Sequence, residues 1–327
     1  MQPNLDLLRA VAVLLVLVSH TITVFNGKLT LDLHRMGQLG VVLFFVHTAL
    51  VLMQSLERQQ LTGSTMFKRF YVQRVFRIYP LAIVFVTSIF ILGDKQWTPF
   101  EMLSNLTLTQ NLFYVRNASD VLWSLPLEVQ MYICLPILYI VFRKRPVSWL
   151  LALWVVSVPV AYVAPTISGR INMLEFVPCF LGGVIAWRMQ GNERLPGWTW
   201  PLLLAACCIG FFFLADPWHN HYGRWVVCIV LGLIIPQVHQ LKQATLNAFS
   251  KTVAKYSYGI YLFHYPLLSF AFETLSGQPY AVRWAVFLIS VTGIPFAAYH
   301  LIEHPMIKLG HAWTERKRTA KVVVPAA

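Results

Sequence analysis

The residues in this sequence that could do chemistry are few, and they sit in or beside apolar runs. Arg9 and His20 bracket the first of these. Eleven residues at about 100° each make three turns plus roughly 20°, so on a helix both side chains leave one face, roughly 16 Å apart along the axis. A guanidinium there can hold an anionic donor, and an imidazole can act as a base. The plainer reading is also open: Arg9 snorkels or pairs with Asp6 three residues earlier, and His20 bonds a neighbouring helix.

Arg74 and Arg77, in Arg74-Val-Phe-Arg77-Ile-Tyr-Pro80, stand three apart before the third apolar run. On one helix face they form a fork suited to phosphate, or a topology anchor against lipid headgroups. Ser124, Glu128 and Tyr132 follow at i, i+4 and i+8, just after Trp123, as one polar stripe. A carboxylate at that depth needs a partner. Glu128 can orient an imidazole, bind a sugar hydroxyl, or pair structurally with an arginine. His264, Glu303 and His47 are further ionisable groups at apolar positions, each weak evidence alone, and His47 reads as structural.

These groups must be positioned by membrane helices. The chain of 327 residues is 57% hydrophobic and 12% charged, with a mean hydropathy of +0.61. Soluble domains carry about 25% charged residues, so too few charges exist here to cover a water-facing surface. Apolar runs long enough to span appear near 7–25, 37–56, 79–93, 121–142, 147–164, 171–188, 198–215, 224–240, 257–275 and 283–302, the third being short. With the N-terminus inside, eighteen lysines and arginines fall in inner loops and seven in outer loops, which favours ten spans with both ends cytoplasmic. The fold expected is therefore all-α: a polytopic membrane bundle of about ten transmembrane helices over 1–305, with a short basic cytoplasmic tail at 306–327 that is disordered at its end.

The net charge of +13 is explained by topology and anionic lipid rather than by nucleic acid, for which no partner role is expected. The five cysteines form no CxxC pair, and no histidine spacing points to a metal. The first apolar run is read as a retained span, because charged residues punctuate it and no small-residue cleavage site follows. The longest outer segment, about 94–120, holds two formal sequons, Asn105-Leu-Thr and Asn117-Ala-Ser.

Taken in order, these pieces resemble the acyltransferase 3 family of integral membrane acyltransferases. The resemblance is carried by Leu5-Asp6-Leu-Leu-Arg9-Ala with His20, Gly40-Val-Val-Leu-Phe44-Phe45, Arg74 to Pro80, and Leu122-Trp123-Ser124-Leu125 with Glu128 and Tyr132. Tyr258-Gly-Ile-Tyr-Leu-Phe-His264 and Glu303 before Pro305 complete it. It covers about 5–305. It implies an acyl-CoA donor, commonly acetyl-CoA, as co-substrate rather than a permanently bound cofactor, and a carbohydrate or lipid-linked sugar acceptor. It also implies His20 as the catalytic residue and Arg9, Arg74 and Arg77 as donor-binding. Glu128 is placed beside His20 in catalysis, and Trp123, Ser124, Tyr132, His264 and Glu303 on the substrate side. The sequence departs from the family at His47-Thr48, where Ser-Gly is usual, and at Val129, where a second Glu is common.

The function expected is thus acyl transfer to a hydroxyl, by a multi-pass protein of the inner or plasma membrane in contact with lipid. The competing class is a transporter or flippase for a glycosylated or acidic lipid. Its usual signature is a pair of related halves with broken helices at matching positions, and no such pairing is visible in the sequence.

Overall fold

The computed structural model describes residues 2–26, 30–93, 95–214 and 221–322, and all of its elements are helical among them. In chain order the helices are α1 (Pro3–Asn26), α2 (Leu31–Gln59), α3 (Gly63–Leu92), α4 (Pro99–Leu106), α5 (Ser124–Phe142), α6 (Val147–Ser168) and α7 (Met173–Arg188). They continue with α8 (Thr199–Leu214), α9 (His221–Ile234), α10 (Ala244–Ser269), α11 (Tyr280–Ala298) and α12 (His304–Val322). A 3₁₀ turn, Asp120–Trp123, leads into α5, and π-turns Phe270–Thr274 and Tyr299–Glu303 follow α10 and α11.

Each expected apolar run falls on one of these helices. Six stretches are long and apolar enough to cross a membrane: Pro3–Phe25, Leu33–Gln59, Gly63–Leu92, Asp120–Phe142, Val147–Ser168 and Tyr280–Glu315. The chain is a multi-pass membrane protein. The third run proved longer than its apolar core. Arg74 and Arg77 lie inside α3 rather than before it, because a helix continues through charged residues when they face a polar interior instead of lipid.

Loops sort to two ends. At one end Asn4 donates to the carbonyls of Val238 and His239, Leu195 bridges Val238, and Arg188 donates to the carbonyl of Arg145. At the other, Phe25 meets Tyr280, Tyr162 stacks on Tyr222, and Arg170 lies 4.6 Å over the Tyr114 ring. The first set joins segments assigned to inner loops and the second joins outer ones. Lys28, counted with the outer loops, lies outside the described residues, as do the side chains of Arg316, Lys317, Arg318 and Lys321.

α1 packs against α2 and α10 at the centre. Gly40 makes the α1–α2 contact possible: a Cβ there would stand 2.5 Å from the Ala12 carbonyl oxygen. Close backbone approach through small residues is how apolar helices associate where water gives no hydrophobic drive. α7 and α9 are tied by a buried ion pair, Arg224 to Glu175 at 2.6 Å. The chain after Leu301 stays helical through Val322. It continues as α12 and packs on α3 through Trp313 against Phe76 and Arg69 with Glu315; residues 323–327, where disorder was expected, lie outside the described residues.

Candidate active site

α1, α2, α3, α5 and α10 line a partly open cavity of about 90 Å³. Arg9, Arg74, Arg77, Ser124, Glu128 and Tyr132 line it, with His47 and Thr48 from α2 and Ser257, Tyr258 and Tyr261 from α10. Spacing puts Arg74 and Arg77 on one face of α3 and Ser124, Glu128 and Tyr132 on one face of α5, and the packing of the helices brings those faces together.

The three arginines differ in what already holds them. Arg9 donates through Nε to Ser257 Oγ at 2.6 Å, turning to α10. Arg77 is paired with Glu303, which the π-turn after α11 delivers buried against it. Arg74 makes no hydrogen bond to a described residue. Glu128 Oε1 accepts from Tyr132 at 2.6 Å and from Thr48 Oγ1 at 3.0 Å. Three guanidiniums against two carboxylates leave this region net positive, and Arg74 has the greatest free donor capacity for an anion.

His20 and His264 do not line this cavity. They form a pair beside it: His20 Nδ1 lies 2.7 Å from His264 Nε2, with ring centroids 5.1 Å apart and planes 8° from parallel. His264 Nδ1 faces the carbonyl oxygens of Tyr261 at 2.8 Å and Ile260 at 3.0 Å. Carbonyls only accept, so that nitrogen carries the hydrogen. In the neutral ring Nε2 is then an acceptor and takes the hydrogen of His20 Nδ1. His20 Nε2 is left with a lone pair, as a base requires. Tyr261 separates the pair from the cavity, its ring 6.1 Å from that of His264. Tyr265 stands on the other side, edge-on to His20 at 5.4 Å.

The expected common face of Arg9 and His20 is therefore turned toward α10, where Arg9 meets Ser257 and His20 meets His264. The two contacts advance in the same direction along both helices, so α1 and α10 run parallel. Glu128 reaches Thr48 and Tyr132, while the ring partner of His20 is His264. Trp123 packs its ring against Phe176 at 5.7 Å, outside the cavity. Of the departures from the family pattern, His47 and Thr48 both line the cavity, and Thr48 supplies one of the hydrogen bonds to Glu128.

Ser257 and Tyr261 were assigned no role from the sequence, and Thr48 was marked only as a departure from the family pattern. Tyr261 alone carried a usable signal, since it lies three residues from His264 on the same helix face. Its hydroxyl donates to the Val121 carbonyl at 2.8 Å and meets Ser124 Oγ at 2.6 Å. Asn105, part of a formal sequon, is buried, and its side-chain amide braces the outer segment through Glu101, Arg116 and Ala118. It is closed to glycosylation in this fold.

A family model described as an acyltransferase domain, acyltransferase 3, matches residues 2–300. The chain belongs to that family and is an O-acyltransferase. A putative acetyltransferase, ORF330, of Acidianus two-tailed virus is 25% identical over 80% of this chain and 82% of its own length. Peptidoglycan O-acetyltransferase OatA of Listeria monocytogenes is 25% identical over 94% of this chain, and the match spans 56% of OatA. Acyltransferase MdmB of Streptomyces mycarofaciens is 24% identical over 86% of this chain and 84% of its own length. No solved structure matches.

Proposed function

We propose that the chain takes an acyl group, acetyl in the first instance, from cytoplasmic acyl-CoA and transfers it to a hydroxyl of a carbohydrate or lipid-linked sugar. The observation that carries this is the alignment of two polar contacts along α1 and α10. Arg9–Ser257 lies at the basic cavity, and His20–His264 lies further along the same helix pair.

In this reading the helices make ten spans in an inner or plasma membrane, with both termini cytoplasmic. The parallel course of α1 and α10, the first and ninth spans, supports that count, because spans of odd number run the same way. The basic cavity then opens toward the cytoplasm. Arg74 takes a CoA phosphate, with Arg77 and Arg9 adding positive potential. The cavity has room for a few water-sized groups, which suits phosphate or the thioester end of the donor rather than its nucleotide. The pantetheine arm passes Tyr261 toward His20.

His20 Nε2 takes the proton of the acceptor hydroxyl as its oxygen attacks the thioester carbonyl carbon. The carbon–sulfur bond breaks, and the departing thiolate takes the proton from His20, regenerating the neutral pair and free CoA thiol. Closing the bundle around the thioester limits its loss to water. A covalent variant is supported by the free Nε2 of His20, whose ring stands beside Tyr265. In it Nε2 attacks the thioester carbonyl carbon, the carbon–sulfur bond breaks and CoA thiolate leaves; the acceptor hydroxyl then attacks the acyl carbon, the acyl–nitrogen bond breaks, and the hydroxyl proton passes to the thiolate.

A carbohydrate acceptor is supported by the relative named as a peptidoglycan O-acetyltransferase. The test is sidedness. Purified chain is placed in sealed vesicles with labelled acetyl-CoA on one face and an oligosaccharide on the other. Labelled ester should form on the sugar with one free CoA released per ester. Movement of intact lipid without CoA release would favour a transporter instead.

A further inference from the structure

The basic cavity accounts for the donor but offers nothing at the opposite end of α1, where an acceptor must reach His20. A second cavity lies there, about 290 Å³ in volume, between α3, the outer segment and the end of α10. Lys95, Trp97, Asn117, Ser119, Asp120 and Tyr265 are in its wall. Tyr265 is the residue whose ring meets His20 edge-on, so the two share a contact.

The wall is built, not incidental. Thr98 and Glu101 form a capping box that starts α4, and Glu101 also holds the Arg116 guanidinium at 2.7 Å. Arg116 lies 4.1 Å over the Trp97 ring, whose other neighbour is Phe90 at 5.1 Å. Asn105 Oδ1 accepts from the Ala118 backbone N–H at 2.8 Å, fixing the approach to Ser119. Within this braced wall, Trp97 Nε1 and Ser119 Oγ are buried and have no hydrogen-bond partner among the described residues. Ser119 stands at the start of the 3₁₀ turn yet makes no capping bond. Leaving such groups unpaired is costly, and their retention in a rigid wall is what a site awaiting a polar ligand looks like.

We propose that this outer cleft receives the acceptor. Trp97 Nε1, Ser119 Oγ and Asp120 hold sugar hydroxyls and present one of them past Tyr265 to His20. One carboxylate and one ammonium in the wall balance, and an indole edge among small polar groups fits a neutral polyhydroxyl face better than a phosphate. This inference rests on the transferase reading above, and it holds for a free or a lipid-linked sugar alike.

The test uses the full-length chain in nanodiscs, acetyl-CoA as donor, chitotetraose as acceptor probe, and the variants Trp97→Phe and Ser119→Ala. Ser119→Ala removes one unpartnered polar atom and keeps the packing; Trp97→Phe removes the indole N–H together with part of the ring face against Phe90 and Arg116. The Michaelis constant for chitotetraose should rise about three- to tenfold in each variant, the size of one lost hydrogen bond. The constant for acetyl-CoA should not change in either, and the melting temperature of Ser119→Ala should hold or rise. An unchanged chitotetraose constant in either variant, or a fall in melting temperature in Ser119→Ala, would overturn the cleft while leaving the transferase intact. Failure of the parent chain to acetylate the probe while binding acetyl-CoA would overturn the sugar-acceptor reading and the cleft with it.

Discussion

His264 fixes which nitrogen of His20 is free. Its own Nδ1 is committed to the Tyr261 and Ile260 carbonyls, its Nε2 faces His20 Nδ1 at 2.7 Å, and the outer nitrogen of His20 keeps its lone pair. His264 is in this account a positioning residue, fully enclosed and touching no substrate.

That relationship separates two substitutions. His264→Leu removes the acceptor, so His20 can adopt either tautomer and kcat should fall about 100-fold, the scale of general-base catalysis. His264→Gln retains a carbonyl that can accept from His20 and should recover part of the loss. The acetyl-CoA Michaelis constant should stay at the parental value in both. Steady-state kinetics with the two substrates varied in turn checks this, and equal damage in both variants would speak for a packing role.

Arg74 and Arg77 should fail differently although they share a helix face. Arg74 has no hydrogen bond to a described residue, so Arg74→Ala should weaken acetyl-CoA binding by about 10- to 100-fold, the range of a lost charge-assisted contact, with little change in stability. Arg77→Ala strands the buried Glu303 and should destabilise the fold by about 3–5 kcal/mol. Adding Glu303→Gln to Arg77→Met should restore much of the melting temperature. Calorimetry and donor titration on the same preparations separate the two effects.

Much of this was legible in the sequence. The ten apolar runs, the shared face of Arg9 and His20, and the polar stripe of Ser124, Glu128 and Tyr132 follow from helical period and the cost of polar groups in lipid. Other features were not. The extension of α3 through Arg74 and Arg77 hid behind their charge, because hydropathy stops where a helix need not. The His20–His264 contact joins positions 244 residues apart, and no local pattern encodes a long-range pair. The outer wall depends on Asn105 turning inward to brace a loop, whereas its triplet reads as a surface sequon.

Gly40 should tolerate no side chain. A Cβ would stand 2.5 Å from the Ala12 carbonyl oxygen and 2.7 Å from a Val16 methyl, so α1 must shift to admit one. Gly40→Ala should cost about 1–3 kcal/mol, the range for overpacking a close contact. Because α1 carries both Arg9 and His20, kcat should drop with it. Thermal melting in detergent and turnover on the folded fraction would measure the two.

Glu101 gives the outer segment an acid limit. Its carboxyl is held below the ordinary value, first by the Thr98 backbone N–H and then by Arg116. A lowered folded value means that the contribution is complete above the unfolded value of about 4.3 and is lost as pH falls through the folded one. Hydrogen exchange in residues 95–120 should therefore be slower in the parent than in Glu101→Gln at pH 7. The two should converge as the pH drops below about 4. A difference that persists there would contradict the assignment.

The central claim is that His20 carries the acyl transfer while the arginines carry the donor, and it is tested most directly in His20→Ala. The purified variant in nanodiscs should bind acetyl-CoA with parental affinity and melt near the parental temperature, yet transfer acyl groups to a sugar at least about 100-fold more slowly in a single turnover. Transfer at the parental rate in that folded variant would contradict the account.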